Sequence, residues 1–288
     1  MRRRTRIWST LLLLVSAGFV LFLGVRWGER IEVRRIQLPI GTGDGSLRLA
    51  VVSDIHIGAN GFGMERWRRT RTLIDQQKPD AILLLGDFVT SHHGTPALTE
   101  VLEGIHAPLG VYAVLGNHDH WAGAGEITHA LKKHGVEVLT NRAVRLNHGQ
   151  HELWLVGIDD LWSGKPDWQK AFRGVPSTAS VILLSHNPDA VLAPQRERAN
   201  LILSGHTHGG HIGLPLFHLL SRVFGIALIP HSEYGARHPY GLHHEGTTWI
   251  YVTKGVTAGS RLPRWYNARE VVIVETGHLP TYSRRDAR

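Results

Sequence analysis

Between Arg6 and Arg26 the chain carries nineteen residues without a charge, including the runs Leu11–Val15 and Phe19–Leu23. The segment has no polar face. At a rise of 1.5 Å per residue, a helix of that length spans about 28 Å, close to a hydrocarbon core. Trp8 and Trp27 stand near its two ends, where an indole favours the membrane interface. A cleaved signal peptide is the competing reading. The stretch is longer than the usual apolar region of such a signal, and no small-x-small site follows it. The pattern therefore predicts an uncleaved anchor within residues 1–30.

From residue 31 the pattern changes to short apolar runs separated by amphipathic or polar stretches, as in an α/β domain. Strands are predicted at Arg48–Ser53, Ala81–Leu85, Val111–Leu115, Leu153–Ile158, Val181–Ser185 and Leu201–Ser204. Helices are predicted at Met64–Gln77, Ala97–His106, Ile127–His134 and Pro188–Arg196. In the first of these, Met64, Trp67, Leu73 and Ile74 share roughly one face. Asn147-His148-Gly149-Gln150 reads as a turn between two antiparallel strands, which makes the sheet mixed. No repeat or linker interrupts residues 31–280, so the body is expected to be one domain followed by a basic tail, 281–288.

The chemistry lies in the residues at the ends of the apolar runs. The first run ends in Ser53-Asp54-Ile55-His56, the second in Gly86-Asp87 and the third in Gly116-Asn117-His118-Asp119. Later ones end in Ser185-His186 and Gly205-His206-Thr207-His208. The C-terminal rim of an open α/β sheet is where ligands bind. Any one of these residues alone would be an ordinary cap or turn residue. Jointly, two D-x-H or H-x-H pairs plus single Asp, Asn and His residues in the same register are not explained that way. In an extended segment residues i and i+2 point the same way, so each pair is expected to aim two ligands at one crevice.

Asp54, His56, Asp87, Asn117, His186, His206 and His208 are more ligands than one tetrahedral site holds. Seven mixed oxygen and nitrogen donors suit two divalent ions sharing a carboxylate, with Asp87 the natural bridge. Imidazole and carboxylate without thiolate point to manganese, iron or zinc, manganese foremost, over calcium. The chain has no cysteine, which excludes thiolate sites, and twenty histidines. Its formal net charge is +8, yet residues 1–35 hold eight arginines against two glutamates, and residues 284–288 hold three arginines against one aspartate. Residues 36–283 are formally neutral. The basic excess therefore flanks the anchor and not a nucleic-acid groove, so no nucleic-acid partner is expected. Arg2, Arg3, Arg4 and Arg6 form a tighter block than the four arginines after the span. That block orients the N-terminus inside and the catalytic domain outside the cell membrane.

These motifs, in this order, resemble the calcineurin-like metallophosphoesterase superfamily: D-x-H, G-D, G-N-H-D/E, a single His, and G-H-x-H. The resemblance spans roughly residues 45–275. It implies a β-sandwich of mixed sheets flanked by helices instead of a plain doubly wound sheet. It also implies that one ion is held by Asp54, His56, Asp87 and His208, and the other by Asp87, Asn117, His186 and His206. By the same resemblance His118 contacts the phosphate and assists the leaving group, while Asp119 orients its ring. The N-terminal span and Ser204-Gly205-His206-Thr207-His208-Gly209-Gly210, with Tyr234-Gly235 and Val252-Thr253-Lys254-Gly255, resemble the YkuE/YaeI-like branch of membrane-associated phosphodiesterases. His211 and Asn267-Ala268-Arg269-Glu270 depart from that branch, which affects the substrate and not the ligands. Asp159-Asp160 reads as a supporting or capping pair.

The expected activity is hydrolysis of a phosphomonoester or phosphodiester. A UDP-2,3-diacylglucosamine-type lipid pyrophosphate, a nuclease substrate and a non-catalytic metal-binding scaffold are the alternatives. The anchor favours a lipid-linked substrate, the neutral body disfavours nucleic acid, and a scaffold has no use for His118. The oligomeric state is open.

Overall fold

In the computed structural model, which describes residues 2–210, 232–257 and 264–277, the short apolar runs become strands. In chain order these are β1 (Ile31–Leu38), β2 (Ser46–Val52), β3 (Ala81–Leu84), β4 (Val111–Ala113), β5 (Val136–Val138) and β6 (Arg142–His148). They continue with β7 (His151–Gly157), β8 (Val181–Leu184), β9 (Leu201–Ser204), β10 (Gly241–Glu245), β11 (Thr248–Val252) and β12 (Arg269–Gly277). They form two six-stranded sheets, ordered β1-β12-β2-β3-β4-β5 and β10-β11-β9-β8-β7-β6. Both sheets are mixed. In the first, β2 to β5 run parallel and β12 enters antiparallel to β2. In the second, β7, β8, β9 and β11 run parallel, with β6 and β10 antiparallel at the edges.

Continuous apolar runs are what a strand needs when both of its faces are covered. Leu47, Leu49, Val51, Leu83 and Leu85 point between the sheets and meet Leu153, Leu155, Ile182, Leu184 and Leu203. The intervening Ala50, Val52, Ile82 and Leu84 point outward and pack under three helices: α2 (Met64–Gln77), α3 (Leu98–Leu102) and α4 (Asn117–Lys133). The outer face of the second sheet is covered by short helices around Ala171, Ala190 and Tyr234. The result is the two-sheet sandwich flanked by helices that the resemblance implied.

The predicted helix at Met64–Gln77 is found with the same ends. Three other predictions shift. The third helix begins ten residues earlier than expected, at Asn117, because Asp119 Oδ2 accepts the Gly116 N–H at 2.9 Å and closes the first turn; Gly123 at φ 122° kinks it. Pro188–Arg196 is no α-helix but two 3₁₀ turns, Pro188–Leu192 and Pro194–Arg198. Pro194 lacks an N–H and drives Ala193 out of helical backbone to ψ 143°. The predicted helix at Ala97–His106 shrinks to α3, preceded by a 3₁₀ turn.

At the N-terminus stands α1 (Arg2–Gly28), whose segment Thr10–Gly28, at a mean hydropathy of 2.0, is long and apolar enough to cross a membrane. Its last turns dock on the body. The Tyr266 N–H donates to Gly24 O at 3.0 Å, its hydroxyl donates to Val20 O at 2.9 Å, and the Arg269 guanidinium donates to Gly28 O. Gly24 has no side chain because the Tyr266 ring takes that space: a Cβ there would lie 2.6 Å from it. Glu29 then pairs with Arg66 and Arg269, each at 3.2 Å. His211 and the tail 281–288 lie outside the described residues.

Candidate metal centre

All seven predicted ligands fall just past the C-terminal ends of parallel strands, β2, β3 and β4 in one sheet and β8 and β9 in the other; Asp54, His56, Asp87, His186 and His208 cluster, and His206 joins them through contacts with His186 and Asn117. The backbone that delivers them is not extended, contrary to the expectation from i, i+2 spacing. Asp54, His56, Asp87, His206 and His208 have φ of 57°, 47°, 55°, 70° and 51°, in the left-handed region. For residues other than glycine that conformation costs on the order of 1–3 kcal/mol each and persists only where the surroundings fix it. Here Asp54 N–H donates to Gly86 O, His56 N–H to Asp87 O, and Gly205 N–H to His186 O, so the strained loops lock one another. Gly116 permits a close approach. A Cβ at that position would collide with Asp87 Oδ1.

Asp87 occupies the centre. Its Oδ2 lies 3.3 Å from Nε2 of His56 and 3.3 Å from Nε2 of His186, while Oδ1 accepts the His118 N–H at 2.9 Å. To one side, Asp54 Oδ1 is 3.8 Å from His56 Nε2 and 3.9 Å from His208 Nε2. To the other, Asn117 Oδ1 and His206 Nδ1 are 3.1 Å apart, a spacing that fits two ligands on one ion as well as a hydrogen bond. Ligand atoms of Asp54, His56 and His208 lie within 4.8 Å of one another, and so do those of Asp54, Asp87 and His186. Three rings are pinned by Nδ1 against a carbonyl: His186 against Leu85 O at 2.7 Å, His118 against Thr90 O at 2.8 Å, and His208 against Thr257 O at 3.1 Å. A ring that donates from Nδ1 keeps its Nε2 lone pair for a ligand. Asp54 Oδ1 and the Nε2 atoms of His56 and His186 are buried without a hydrogen-bond partner. Buried acceptors of this kind call for a cation. The donor set is consistent with a dinuclear divalent-metal site.

The electrostatics follow from burial and neighbours. Burial, helped by repulsion from Asp87, pushes the Asp54 carboxyl up to about 6. Burial acts the same way on Asp87, but the His186 and His56 imidazoles outweigh it and hold that carboxyl well below the usual range. Burial pulls His56 down to about 3, with His118, His186 and Arg264 opposing its charge. His186 is equally buried, but Asp87, Asp54 and Asp160 raise it to about 10. Two imidazoles on one carboxylate oxygen thus diverge because only His186 faces a surplus of carboxylates.

Asp119 is corrected in role. It does not touch the His118 ring, which Thr90 O holds instead. Its Oδ2 accepts the N–H groups of Asp87 (2.8 Å) and Gly116 (2.9 Å), and its Oδ1 those of Phe88 (2.8 Å) and Val89 (3.4 Å). It ties the loop after β3 to the start of α4. Burial and Asp87 push this carboxyl up to about 7, against the pull of the N–H donors.

Sequence reasoning missed several supports. Arg264 is fully buried and donates to Gly255 O at 3.2 Å and to Thr257 O at 2.6 Å, behind Asp54 and His208. No motif marked it. Asn267 donates from Nδ2 to His208 O at 2.8 Å, so the segment that departs from the branch pattern holds a ligand loop. Of the predicted supporting pair, Asp160 caps a turn through the N–H groups of Trp162 and Ser163, and Asp159 bonds His120 Nε2 at 2.8 Å.

Known proteins are similar to this sequence over more than half of its length. A family model described as calcineurin-like phosphoesterase matches residues 47–210. The Bacillus subtilis protein named uncharacterized metallophosphoesterase YkuE is 31% identical over 267 residues, covering 90% of this chain and 88% of that protein. The Escherichia coli phosphodiesterase YaeI is 34% identical over 206 residues, covering 69% of this chain and 71% of its own. The Chlamydia trachomatis UDP-2,3-diacylglucosamine pyrophosphatase LpxG is 28% identical over 216 residues, covering 59% of this chain and 65% of its own.

Proposed function

The chain belongs to the calcineurin-like phosphoesterase family, and from that premise we propose that it is a membrane-anchored phosphoesterase working through two divalent ions, manganese foremost. The observation that carries this reading is Asp87 Oδ2 standing 3.3 Å from both His56 Nε2 and His186 Nε2, between two donor sets. Asp54, His56, Asp87 and His208 would hold one ion, and Asp87, Asn117, His186 and His206 the other. When bound, such a pair supplies Lewis acidity to the phosphoryl oxygens and an acidified water.

The protein's own residues do the rest. The anionic Asp87 offsets the repulsion of neighbouring cations. His118 sits on the first turn of α4 with Nδ1 committed to Thr90 O, which leaves Nε2 to face the substrate. In that step a water oxygen would bond to phosphorus as the ester P–O bond breaks, the doubly protonated His118 ring would give its Nε2 proton to the departing oxygen, and the proton shed by the water would restore the ring. Asp119 acts by fixing the loops, not by touching His118.

The test uses full-length protein in detergent, a panel of phosphomonoesters and diesters, and elemental analysis after loading with manganese, iron or zinc. Two ions per chain are expected. Asp87→Asn should lose metal and turnover together. His118→Ala should keep both ions and lose roughly 10²–10⁴-fold in rate on unactivated esters, less on p-nitrophenyl esters, whose leaving group departs without a proton. Turnover of no ester with any metal, or one ion per chain, refutes the reading.

A narrower reading, a lipid-linked pyrophosphate, draws on the name of the Chlamydia relative and on the docking of α1 against the loop behind His208. We further propose that residues 31–280 act as one catalytic domain outside the membrane, with the N-terminus inside. Protease protection in sealed vesicles decides the topology. A catalytic domain on the cytoplasmic face would favour the nucleotide-lipid substrate.

A further inference from the structure

Where α1 ends, a cleft of about 690 Å³ opens between its last turn, the start of β1 and one face of α2. That volume lies in the range of sites for small ligands, and no metal-ligand candidate lines it. Three exposed arginines do: Arg26 from the last turn of α1, Arg30 just before β1, and Arg69 from α2. The Arg30 guanidinium lies over the Trp27 ring, 4.6 Å from its centroid, beside an indole that marks the interface level. Among the described residues neither Arg26 nor Arg30 is paired with a carboxylate. On α2, Arg69 and Leu73 share a face by their i, i+4 spacing.

Two carboxylates line the same cleft, Glu29 and Glu32. Glu29 is already committed to Arg66 and Arg269, each at 3.2 Å. Arg69 pairs with Glu65 at 3.0 Å, but both side chains are exposed, and a surface pair at i, i+4 is too weak to hold the guanidinium against a phosphate. With these neighbours counted, five guanidinium groups stand against three carboxylates. So small an excess suits a ligand with a single phosphate charge, not a polyphosphate. The remaining wall is apolar: Ile31 and Leu73, both half-buried.

The anchor sets the level of this cleft in a bilayer. The apolar segment Thr10–Gly28 contains Arg26 in its last turn and stops two residues before Arg30. Tyr266 reaches back along the same helix to Gly24 O and Val20 O, so the body meets the last turns of the span and the cleft opens at the headgroup layer. Resting on the anchor part of the reading above, we propose that the cleft is a headgroup site for an anionic phospholipid of the phosphatidylglycerol class. Arg26, Arg30 and Arg69 take the phosphate oxygens, Glu32 accepts a headgroup hydroxyl, and Ile31 and Leu73 meet the first carbons of the glyceride. A soluble phosphate gains nothing from that apolar wall. A choline headgroup brings no net charge to the arginines. A lipid held there ties α1, β1 and α2 together at the bilayer surface and sets how the body sits on it.

The test adds dioctanoyl phosphatidylglycerol to full-length protein in a non-ionic detergent and counts bound lipid per chain by native mass spectrometry. Dioctanoyl phosphatidylcholine and glycerol 3-phosphate are the comparisons. One phosphatidylglycerol per chain is expected, bound at least about 10-fold more tightly than the choline lipid, with glycerol 3-phosphate weaker still. Arg26→Gln, Arg30→Gln and Arg69→Gln should each weaken it about 5-fold, the worth of one arginine near an anionic surface. Arg68→Gln, on α2 but outside the cleft, should change nothing. Stripping the metal with a chelator should release no lipid. Equal affinity for the two lipids, equal loss in Arg68→Gln, glycerol 3-phosphate binding as tightly as the lipid, or release by the chelator, which would place the lipid in the metal centre, overturns the proposal. Extraction of the uncleaved protein from membranes by carbonate would instead count against the anchor reading itself.

Discussion

Replacing Asp119 by asparagine separates a carboxylate that holds loops together from one that orients a catalytic ring. Its two oxygens accept four backbone N–H groups, from Asp87, Gly116, Phe88 and Val89. The substitution turns one oxygen into an NH₂ group, and whichever way the amide sits, that group faces two N–H donors. Each buried donor left unpaired costs about 1–3 kcal/mol. The two bonds that remain also lose their charge assistance. Against this, the variant no longer buries a carboxylate, and burial first and the neighbouring Asp87 second are what raise Asp119 to about 7. The net loss should be about 2–4 kcal/mol, or roughly 5–15 °C in the unfolding midpoint of a chain this long. The assay is thermal unfolding of full-length protein in detergent, beside turnover on activated and unactivated esters. Loosened loops should lower both rates by similar factors, since Asp87 and Asn117 both shift. If the midpoint moves by less than about 2 °C while unactivated esters suffer selectively, as expected for His118→Ala, then Asp119 acts through the ring and our account is wrong.

Gly28→Val in the full-length chain should lower the unfolding midpoint by several degrees and reduce metal content, because a Cβ there collides with Arg264 O and Arg264 supports the His208 loop; unchanged stoichiometry by elemental analysis would show α1 to be energetically separate from the centre. Burial opposes ionisation of Glu29, yet Arg66 and Arg269 hold it below its ordinary value of 4.5. Its contribution is therefore present above that value and lost as pH falls through the lowered one, so Glu29→Gln should flatten the acid side of the stability profile; identical profiles would refute the coupling. The full-length protein should stay with membranes through carbonate extraction; release at the uncleaved mass would refute the anchor. Because residues 36–283 are formally neutral, no appreciable duplex-DNA binding is expected at physiological salt, and micromolar, salt-dependent binding in a gel-shift assay would revive the nuclease alternative.

By itself the sequence determined the features that depend on local order along the chain. Short apolar runs declared strands buried on both faces, and small residues with Asp, Asn or His after each run declared which strand ends face the site. The uncharged segment before Arg26 declared a helix of membrane-crossing length. Those signals survive without tertiary context because burial and ligand chemistry restrict residue type directly. Backbone direction was not legible. Asp54, His56, Asp87, His206 and His208 occupy left-handed conformations that Asp and His tolerate better than most residues but that their identity does not dictate, held by bonds between separate loops, as from Asp54 N–H to Gly86 O. Nor did β12 announce its place between β1 and β2, since pairing between the two ends of the body depends on which face is left to cover. Asp119 shows the same limit in one side chain. Its position beside His118 in the motif suggested a ring partner, and only folding shows that four N–H groups surround it first. Arg264 and Trp121 carry no motif at all. The burial of one guanidinium behind His208 and the exposure of two indoles beside His118 and His206 arise where separate loops meet, and only the tertiary structure decides where that happens.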